Sequence, residues 1–175
     1  MKKSNVNFIV QAALIAALYV VLTWISAQFG LSSGAIQLRL SELLTVFPLF
    51  MPAAIPGLTI GCLLANLLTG CMLWDIVFGS IATLLGAVGT YLIGRKVRYP
   101  ICAFLAPLPP IIANILIVPP ILAYVYCFEG TIPYFALTVG IGEILSCGVL
   151  GVLAYFALHR VGFVHAMQDK IKKDR

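Results

Sequence analysis

The chain has 175 residues, of which 62% are apolar and 10% are charged, and its mean hydropathy is +1.07. A soluble domain carries about one quarter charged residues and cannot bury so much apolar surface. The composition therefore excludes an ordinary soluble fold and predicts an all-α integral membrane protein with a single domain. The net charge of +5 does not indicate a nucleic-acid partner, because membrane topology explains where the basic residues lie.

Apolar segments of the length needed to cross a bilayer follow one another along the chain. We predict six transmembrane spans, at residues 8–29, 36–51, 54–70, 75–94, 101–127 and 131–159. The first is longer than a signal-peptide core and other spans follow it, so we expect it to be retained as a helix. Pro52 and Pro56 predict a tight turn between the second and third spans. The fifth span contains several prolines and cannot be one regular helix throughout.

The basic residues predict how the spans are oriented. Ten of the eleven lie in three segments, at residues 2–3, 95–98 and 160–175. An even number of spans places all three segments on one side, and the positive-inside rule makes that side the cytoplasm. We therefore predict a multi-pass protein of the cytoplasmic membrane with both termini inside. The tail 165–175 is expected at the membrane surface, where its lysines and arginines can contact anionic lipid.

Polar and ionisable side chains inside apolar spans are costly and usually mark a binding site or a transport pathway. The candidates for substrate binding are Arg39, Glu42, Asn66, Trp74, Asp75, Asn114 and Glu143. In the predicted orientation nearly all of them lie in the outer half of the membrane or at its midplane. This predicts a polar pocket that opens outward and is closed below by apolar packing, unlike a channel. Carboxylates, amides and an aromatic ring suit a small, planar, hydrogen-bonding ligand, including one with a positive charge.

The charged candidates in the second and sixth spans differ in how easily packing explains them. Arg39 and Glu42 are three residues apart on one predicted helix face, and an intrahelical ion pair is the alternative to ligand contact. Glu143 lies about ten residues into its span, roughly 15 Å deep, without a basic residue in that span. Ligand contact is the interpretation that we favour for Glu143.

The other candidates each have a structural alternative. Asp75 could stabilise the start of the fourth span, where a carboxylate meets the helix dipole. Trp74 could be an aromatic anchor at the membrane interface. Asn66 and Asn114 could join helices by hydrogen bonds. Glu129, in the last outer loop, is interpreted as a solvated residue.

Small residues recur at intervals of four in the first span. Ala12 with Ala16, and Ala13 with Ala17, would let another helix approach closely in lipid. This pattern predicts a contact surface for a partner subunit, and ordinary packing within the bundle is the alternative.

Several motifs are absent from the sequence. It has no P-loop, no HExxH, no GxSxG and no cluster of cysteines and histidines with metal-site spacing. We therefore predict no enzymatic activity, no metal and no cofactor. The five cysteines are interpreted as buried apolar residues, and a disulfide between Cys71 and Cys127 is an open alternative. No internal repeat is evident, so a transporter of this kind would draw its energy from another subunit.

The longest motifs of the chain resemble those of a known family. Residues 39–42 (RLSE), 47–48 (FP), 52–58 (PAAIPGL), 61–66 (GCLLAN) and 74–80 (WDIVFGS) carry the resemblance. They resemble the queuosine-precursor transporter family, often called QueT, over essentially the whole chain and most strongly over 36–94. That family is similar to the substrate-specificity (S) components of energy-coupling factor (ECF) transporters.

The resemblance implies a function and a set of partners. It implies six helices with both termini inside, a membrane coupling protein and two cytoplasmic ATPases, with the alanine pattern of the first span as the coupling contact. The implied ligand is a 7-deazaguanine, such as 7-aminomethyl-7-deazaguanine, its cyano relative or queuine. The alternatives are a stand-alone proton-coupled carrier with Glu143 as its proton site, a small membrane enzyme, and a scaffold subunit without a ligand.

Overall fold

The structure is a computed structural model that describes residues 3–31, 37–97 and 100–162. The described residues form helices and no strands, which confirms the all-α prediction. The elements are α1 (Lys3–Gln28), a 3₁₀ helix (Leu40–Leu49), α2 (Ala54–Leu68), α3 (Leu73–Lys96), α4 (Ile101–Leu105), α5 (Leu108–Tyr124), α6 (Ile132–Glu143), a π-helical segment (Ile144–Leu150) and α7 (Gly151–Arg160). Lys2, Arg98 and the tail 165–175 lie outside the described residues.

Most of the described helical length is apolar enough for a bilayer. The stretches long enough to cross it, within the described residues, are Asn5–Gln28, Leu73–Lys96, Ile101–Tyr124 and Ile132–Arg160. The 3₁₀ helix and α2 are apolar but shorter, with 10 and 15 residues. An α-helix needs about 20 residues to cross the hydrocarbon, so both elements are shorter than a regular span. The count of six spans therefore stays a prediction. The cytoplasmic position of both termini also stays a prediction.

The segment predicted as the second span departs most from a regular α-helix. Arg39 has extended backbone, with φ −104° and ψ 110°, and the 3₁₀ helix begins at the next residue. Pro48 lies inside that helix and has no N–H to donate. The prediction that Arg39 and Glu42 share one helix face is therefore wrong, because the helix starts after the arginine. A 3₁₀ helix rises about 2.0 Å per residue, so this short element covers more depth than an α-helix of equal length.

Two of the later apolar stretches also have local irregularities. Pro107 separates α4 from α5, so the predicted fifth span is broken near its start. In the last stretch α6 continues into the π-helical segment and then into α7. π-Helical turns are rare and frequently occur at functional sites. Glu143 is the last residue of α6 before the π-helical segment.

Glycine and alanine allow α1 and α2 to pack backbone to backbone. A Cβ atom added at Gly57 would lie 2.8 Å from the carbonyl oxygen of Ala12, and one at Gly61 would lie 3.0 Å from Cα of Ala16. Small residues at such crossings are the usual basis of close helix packing in lipid. Ala12 and Ala16 are thus used for packing inside the bundle.

Glycine and proline produce an equally close contact between α3 and α5. A Cβ atom added at Gly86 would lie 2.7 Å from Cα of Pro110, and one at Gly89 would lie 2.5 Å from Cβ of Pro109. The rigid proline rings of α5 therefore fit against bare backbone of α3. This contact fixes the relative position of two of the long apolar helices.

The closest of these approaches joins α6 to segment 37–39, which precedes the 3₁₀ helix. A Cβ atom added at Gly142 would lie 2.1 Å from the carbonyl oxygen of Gln37, well inside van der Waals contact. The backbone of Gln37 therefore rests on α6 at a point where no side chain intervenes. The contact brings Arg39 and the following 3₁₀ helix beside Glu143.

We expect Gly142→Ala to lower the free energy of unfolding by about 1–3 kcal/mol, because the added methyl group forces this backbone contact apart. The measurement is thermal unfolding of the purified protein in detergent. Gly148→Ala is the matched control, since the nearest atom to its Cβ would be Cγ2 of Ile144 at 3.7 Å. Equal unfolding temperatures for the two variants would contradict the tight contact.

Candidate functional site

Polar side chains from five elements meet in one narrow cavity. They come from segment 37–39, the 3₁₀ helix, α3, α5 and α6. The lining residues are Gln37, Arg39, Glu42, Asp75, Gly79, Thr83, Asn114, Val118, Val139 and Glu143. The centre of a water molecule can reach only about 10 Å³ of this space, which is room for about one water. The structure therefore brings five of the predicted site residues into one cavity.

Arg39 organises one end of the cavity. Its Nη1 donates to Oδ1 of Asn66 at 3.3 Å, and its Nη2 donates to Oε1 of Gln37 at 3.1 Å. Nη2 also lies 4.0 Å from Oδ2 of Asp75 on α3. The ion pair of Arg39 is thus made across the bundle with Asp75, and not within one helix with Glu42. Asn66 is 1% exposed and is held to this end of the cavity through the arginine.

Tyr126 connects Asp75 to the loop that follows α5. Its hydroxyl donates to Oδ2 of Asp75 at 3.1 Å and accepts from the N–H of Met72 at 3.2 Å. Asp75 also lies in the first turn of α3, where the helix dipole favours its charge. Tyr126 was not identified from the sequence, since a tyrosine at the end of an apolar span looks like an interface anchor.

Glu42 lies on the 3₁₀ helix and faces α1. It is 3% exposed, and the hydroxyl of Tyr19 donates to its Oε1. A second bond joins the same two elements, because Oγ1 of Thr23 donates to Oγ of Ser41 at 2.8 Å. The long first helix therefore holds the glutamate from one side. Neither Tyr19 nor Thr23 was identified from the sequence, since both look like ordinary core residues of a membrane helix.

The thiol of Cys147 lies between the carboxyl groups of Glu143 and Glu42. Sγ of Cys147 donates to Oε2 of Glu143 at 3.1 Å and lies 3.8 Å from Oε2 of Glu42. One ligating atom from each of these three residues lies within 4.8 Å of the others, so the described part of the chain contains a donor set spaced for a metal ion. Asn114 is 6% exposed and interacts with the same glutamate. The two carboxyl groups thus form the second end of the cavity.

Trp74 is the predicted site residue that the structure places elsewhere. It is 58% exposed and stacks on Phe78 with ring centroids 5.9 Å apart. The two rings line a separate apolar groove beside Leu116 and Pro120. This position, next to Asp75 but on the outer surface of the bundle, fits the alternative of an interface anchor. Adjacent residues on a helix face different directions, which explains why only one of the two reaches the cavity.

The alanines of α1 divide between two environments. Ala16 is 7% exposed and packs on α2, whereas Ala13 and Ala17 are exposed. All four alanines border an apolar groove that runs between α1 and α2. The groove is lined by Phe8, Ile9, Ala12, Ala13, Ala16, Ala17, Val20, Val21, Pro56, Ile60, Leu64, Leu67 and Leu68.

The cysteines carry free thiols. Cys71 is half-buried and Cys127 is exposed, and the disulfide that the sequence left open is not formed between them. Glu129 is exposed, consistent with its interpretation as a solvated residue.

Comparison with known proteins identifies relatives of the chain. The family described as QueT transporter matches residues 9–160. The queuosine precursor transporter QueT of Lactococcus lactis subsp. cremoris (strain MG1363) is 41% identical over 85 residues. That alignment covers 48% of this chain and 49% of the relative, so it spans about half of each protein. No solved structure matches the chain significantly.

We expect Tyr126→Phe to lower the free energy of unfolding by about 0.5–1.5 kcal/mol, because both hydrogen bonds of the hydroxyl are lost. Thermal unfolding in detergent measures the change. Tyr124→Phe is the control, since that tyrosine is 74% exposed, and its effect should stay within about 0.5 kcal/mol. A Tyr126→Phe variant as stable as the control would show that the Met72–Tyr126–Asp75 link contributes nothing.

Proposed function

This chain belongs to the QueT transporter family, and from that premise we propose that it is the substrate-capturing subunit of an importer for a queuosine precursor. The observation that carries the proposal is the cavity in which the buried Glu42, Asp75 and Glu143 meet the partly buried Arg39 within an apolar bundle. Ionisable groups at membrane depth are costly and are commonly retained for a site or a pathway. A cavity in which they converge from separate elements is a binding site for a polar small molecule.

The side chains around the cavity are complementary to a deazaguanine base. A carboxylate can accept paired N–H bonds from the guanine-like edge, and a guanidinium or amide can donate to its carbonyl oxygen. We propose that Glu143, Glu42, Asp75, Asn114 and Arg39 contact the ligand, with Asn66 acting through the arginine. Trp74 is left out of this set, because it lies on the separate apolar groove. The cavity is too narrow for a bicyclic base as it stands, so binding requires the surrounding elements to separate.

The proposed subunit is one transmembrane domain of six spans in the cytoplasmic membrane, with both termini in the cytoplasm. The three segments rich in basic residues support this orientation. Arg39, Asp75 and Tyr126 would then lie toward the outside, where the ligand enters.

Energy for import would come from partner subunits. The sequence has no P-loop, so we propose a membrane coupling protein with two ATPases, as in ECF transporters. The exposed Ala13 and Ala17, on the apolar groove between α1 and α2, support a docking site for a helix of the coupling protein. After capture, the subunit would tilt against that protein and release the ligand inside, and ATP hydrolysis by the partners would reset it.

A stand-alone proton-coupled carrier is the second candidate. The observation that favours it is the buried pair of Glu42 and Glu143, since neighbouring carboxyl groups readily share a proton. Uptake that continues without the ATPases and stops with a protonophore would support the carrier. Uptake that requires the ATPases would support the capture subunit.

We expect Glu143→Gln to weaken binding of the preferred deazaguanine precursor at least about tenfold, which corresponds to roughly 1.4 kcal/mol. Calorimetric titration of the purified chain in detergent measures the affinity. Glu129→Gln makes the same chemical change at an exposed position and should leave the affinity unchanged. If the Glu143→Gln variant still binds tightly, the ligand contacts would lie nearer Arg39 and Asp75. If a folded sample of the unsubstituted protein shows no binding, the ligand assignment would be excluded.

We expect Ala17→Trp to prevent assembly with the coupling protein and to leave ligand binding intact, because the indole ring would fill the groove on the outer face of α1. Co-purification of the tagged chain with the coupling protein and ATPases measures assembly. Ala157→Trp places the same bulk at an exposed position of α7 and should assemble normally. Normal assembly of both variants would exclude this groove as the docking surface.

A further inference from the structure

The two ends of the cavity differ in their charge balance. At one end the guanidinium of Arg39 lies 4.0 Å from Asp75, so a cation faces an anion. At the other end two carboxyl groups, of Glu42 and Glu143, lie together. Their hydrogen-bond partners are the hydroxyl of Tyr19, the thiol of Cys147 and the side chain of Asn114, which are neutral groups. Within the described ranges neither glutamate has an ion pair of 4.0 Å or less.

This imbalance is costly in an apolar bundle. The positive charge of Arg39 also attracts both glutamates through space, but it is shared among three carboxyl groups. A buried carboxylate requires an opposite charge, a proton or strong donors to offset the loss of water. A ligand with a positively charged group at the Glu42–Glu143 end would neutralise the negative charge that the protein itself leaves uncompensated.

The geometry of that end suits an ammonium group. The carboxyl oxygens that face each other are within 4.8 Å, and one nitrogen can reach two oxygens so spaced with charge-assisted bonds of about 2.8 Å. An ammonium has three donors and no acceptor, so it matches a site built from acceptors. The Cys147 thiol, 3.1 and 3.8 Å from the two carboxyl groups, now occupies the bridging position. An ammonium group would take over its role as the hydrogen-bond donor between the two carboxyl groups.

We propose that Glu42 and Glu143 form an ammonium subsite, through which the protein selects deazaguanine precursors with a protonated amine on the substituent at the seven-position over the neutral nitrile precursor. This inference rests on the proposed function and specifies the ligand class of the same site. The polar edge of the base would then face the Arg39–Asp75 end, where donors and acceptors alternate.

The test compares two ligands that differ in charge at one substituent. The affinities of 7-aminomethyl-7-deazaguanine and its cyano relative are measured by calorimetry on the purified full chain at pH 7, where an alkylamine is protonated. We expect the amine to bind at least about tenfold more tightly. Equal affinities, or tighter binding of the nitrile, would overturn the ammonium subsite and leave the capture function standing. No binding of either compound would overturn the proposed function itself.

Three carboxyl-to-amide substitutions locate the subsite. Glu42→Gln and Glu143→Gln should each reduce the amine-to-nitrile affinity ratio to within about threefold. Asp75→Asn is the matched change at the other end of the cavity. It should weaken the binding of both ligands and leave the amine-to-nitrile affinity ratio unchanged. A ratio lost with Asp75→Asn and kept in both glutamate variants would overturn the assignment.

A neutral analogue tests the proposal without any substitution, in case the glutamate variants do not fold. The 7-hydroxymethyl compound is close in size to the amine and can donate a hydrogen bond, but it has no charge. The unsubstituted protein should bind it at least about tenfold more weakly than the amine. Equal binding of the two would show that the site selects a hydrogen-bond donor and not a cation.

Discussion

The contact between the carbonyl oxygen of Gln37 and Gly142 is the constraint on which the cavity depends. At 2.1 Å from the position of a missing Cβ, that oxygen leaves no space for any side chain at residue 142. The contact holds segment 37–39 against α6, and from there the chain enters the 3₁₀ helix that carries Glu42. Two acids that are distant in sequence, Glu42 and Glu143, are thereby brought to one thiol. The site is thus created by backbone proximity and not by a motif.

Close backbone contacts at small residues recur across the bundle. Glycines of α2 meet alanines of α1, and glycines of α3 meet prolines of α5. In lipid there is little hydrophobic driving force between helices, so close van der Waals packing has to supply the association. Interfaces made of bare backbone and rigid rings change little in shape. Movement that admits a ligand is therefore more easily accommodated by the loop held through Tyr126 than by the helix pairs themselves.

The sequence predicted the helical class and the four ionisable residues that line the cavity, since an ionisable group in an apolar stretch is conspicuous wherever it lies. It could not predict their pairing. Arg39 and Glu42 look like neighbours on a helix, but extended backbone separates them and Arg39 pairs with Asp75. Spacing along the chain also gave no means to separate Trp74 from its neighbour, which depends on how α3 is rotated. It gave no means to identify Tyr126 either, because the position of this residue depends on the path of the chain after α5. The number of spans and the side of the termini stay predictions.

The Cys147 thiol lies between two carboxyl groups and donates a hydrogen bond to that of Glu143. The S–H stretching vibration absorbs in an infrared window that is free of other protein bands, and its frequency falls as the hydrogen bond of the thiol strengthens. Replacing the bond to Glu143 by one to another acceptor would therefore shift the band of this thiol, which a Cys147→Ser variant would identify among the bands of the other free thiols. The protein therefore carries its own spectroscopic reporter in contact with two residues of the cavity, and the occupancy of the site could be followed in a lipid membrane without any label.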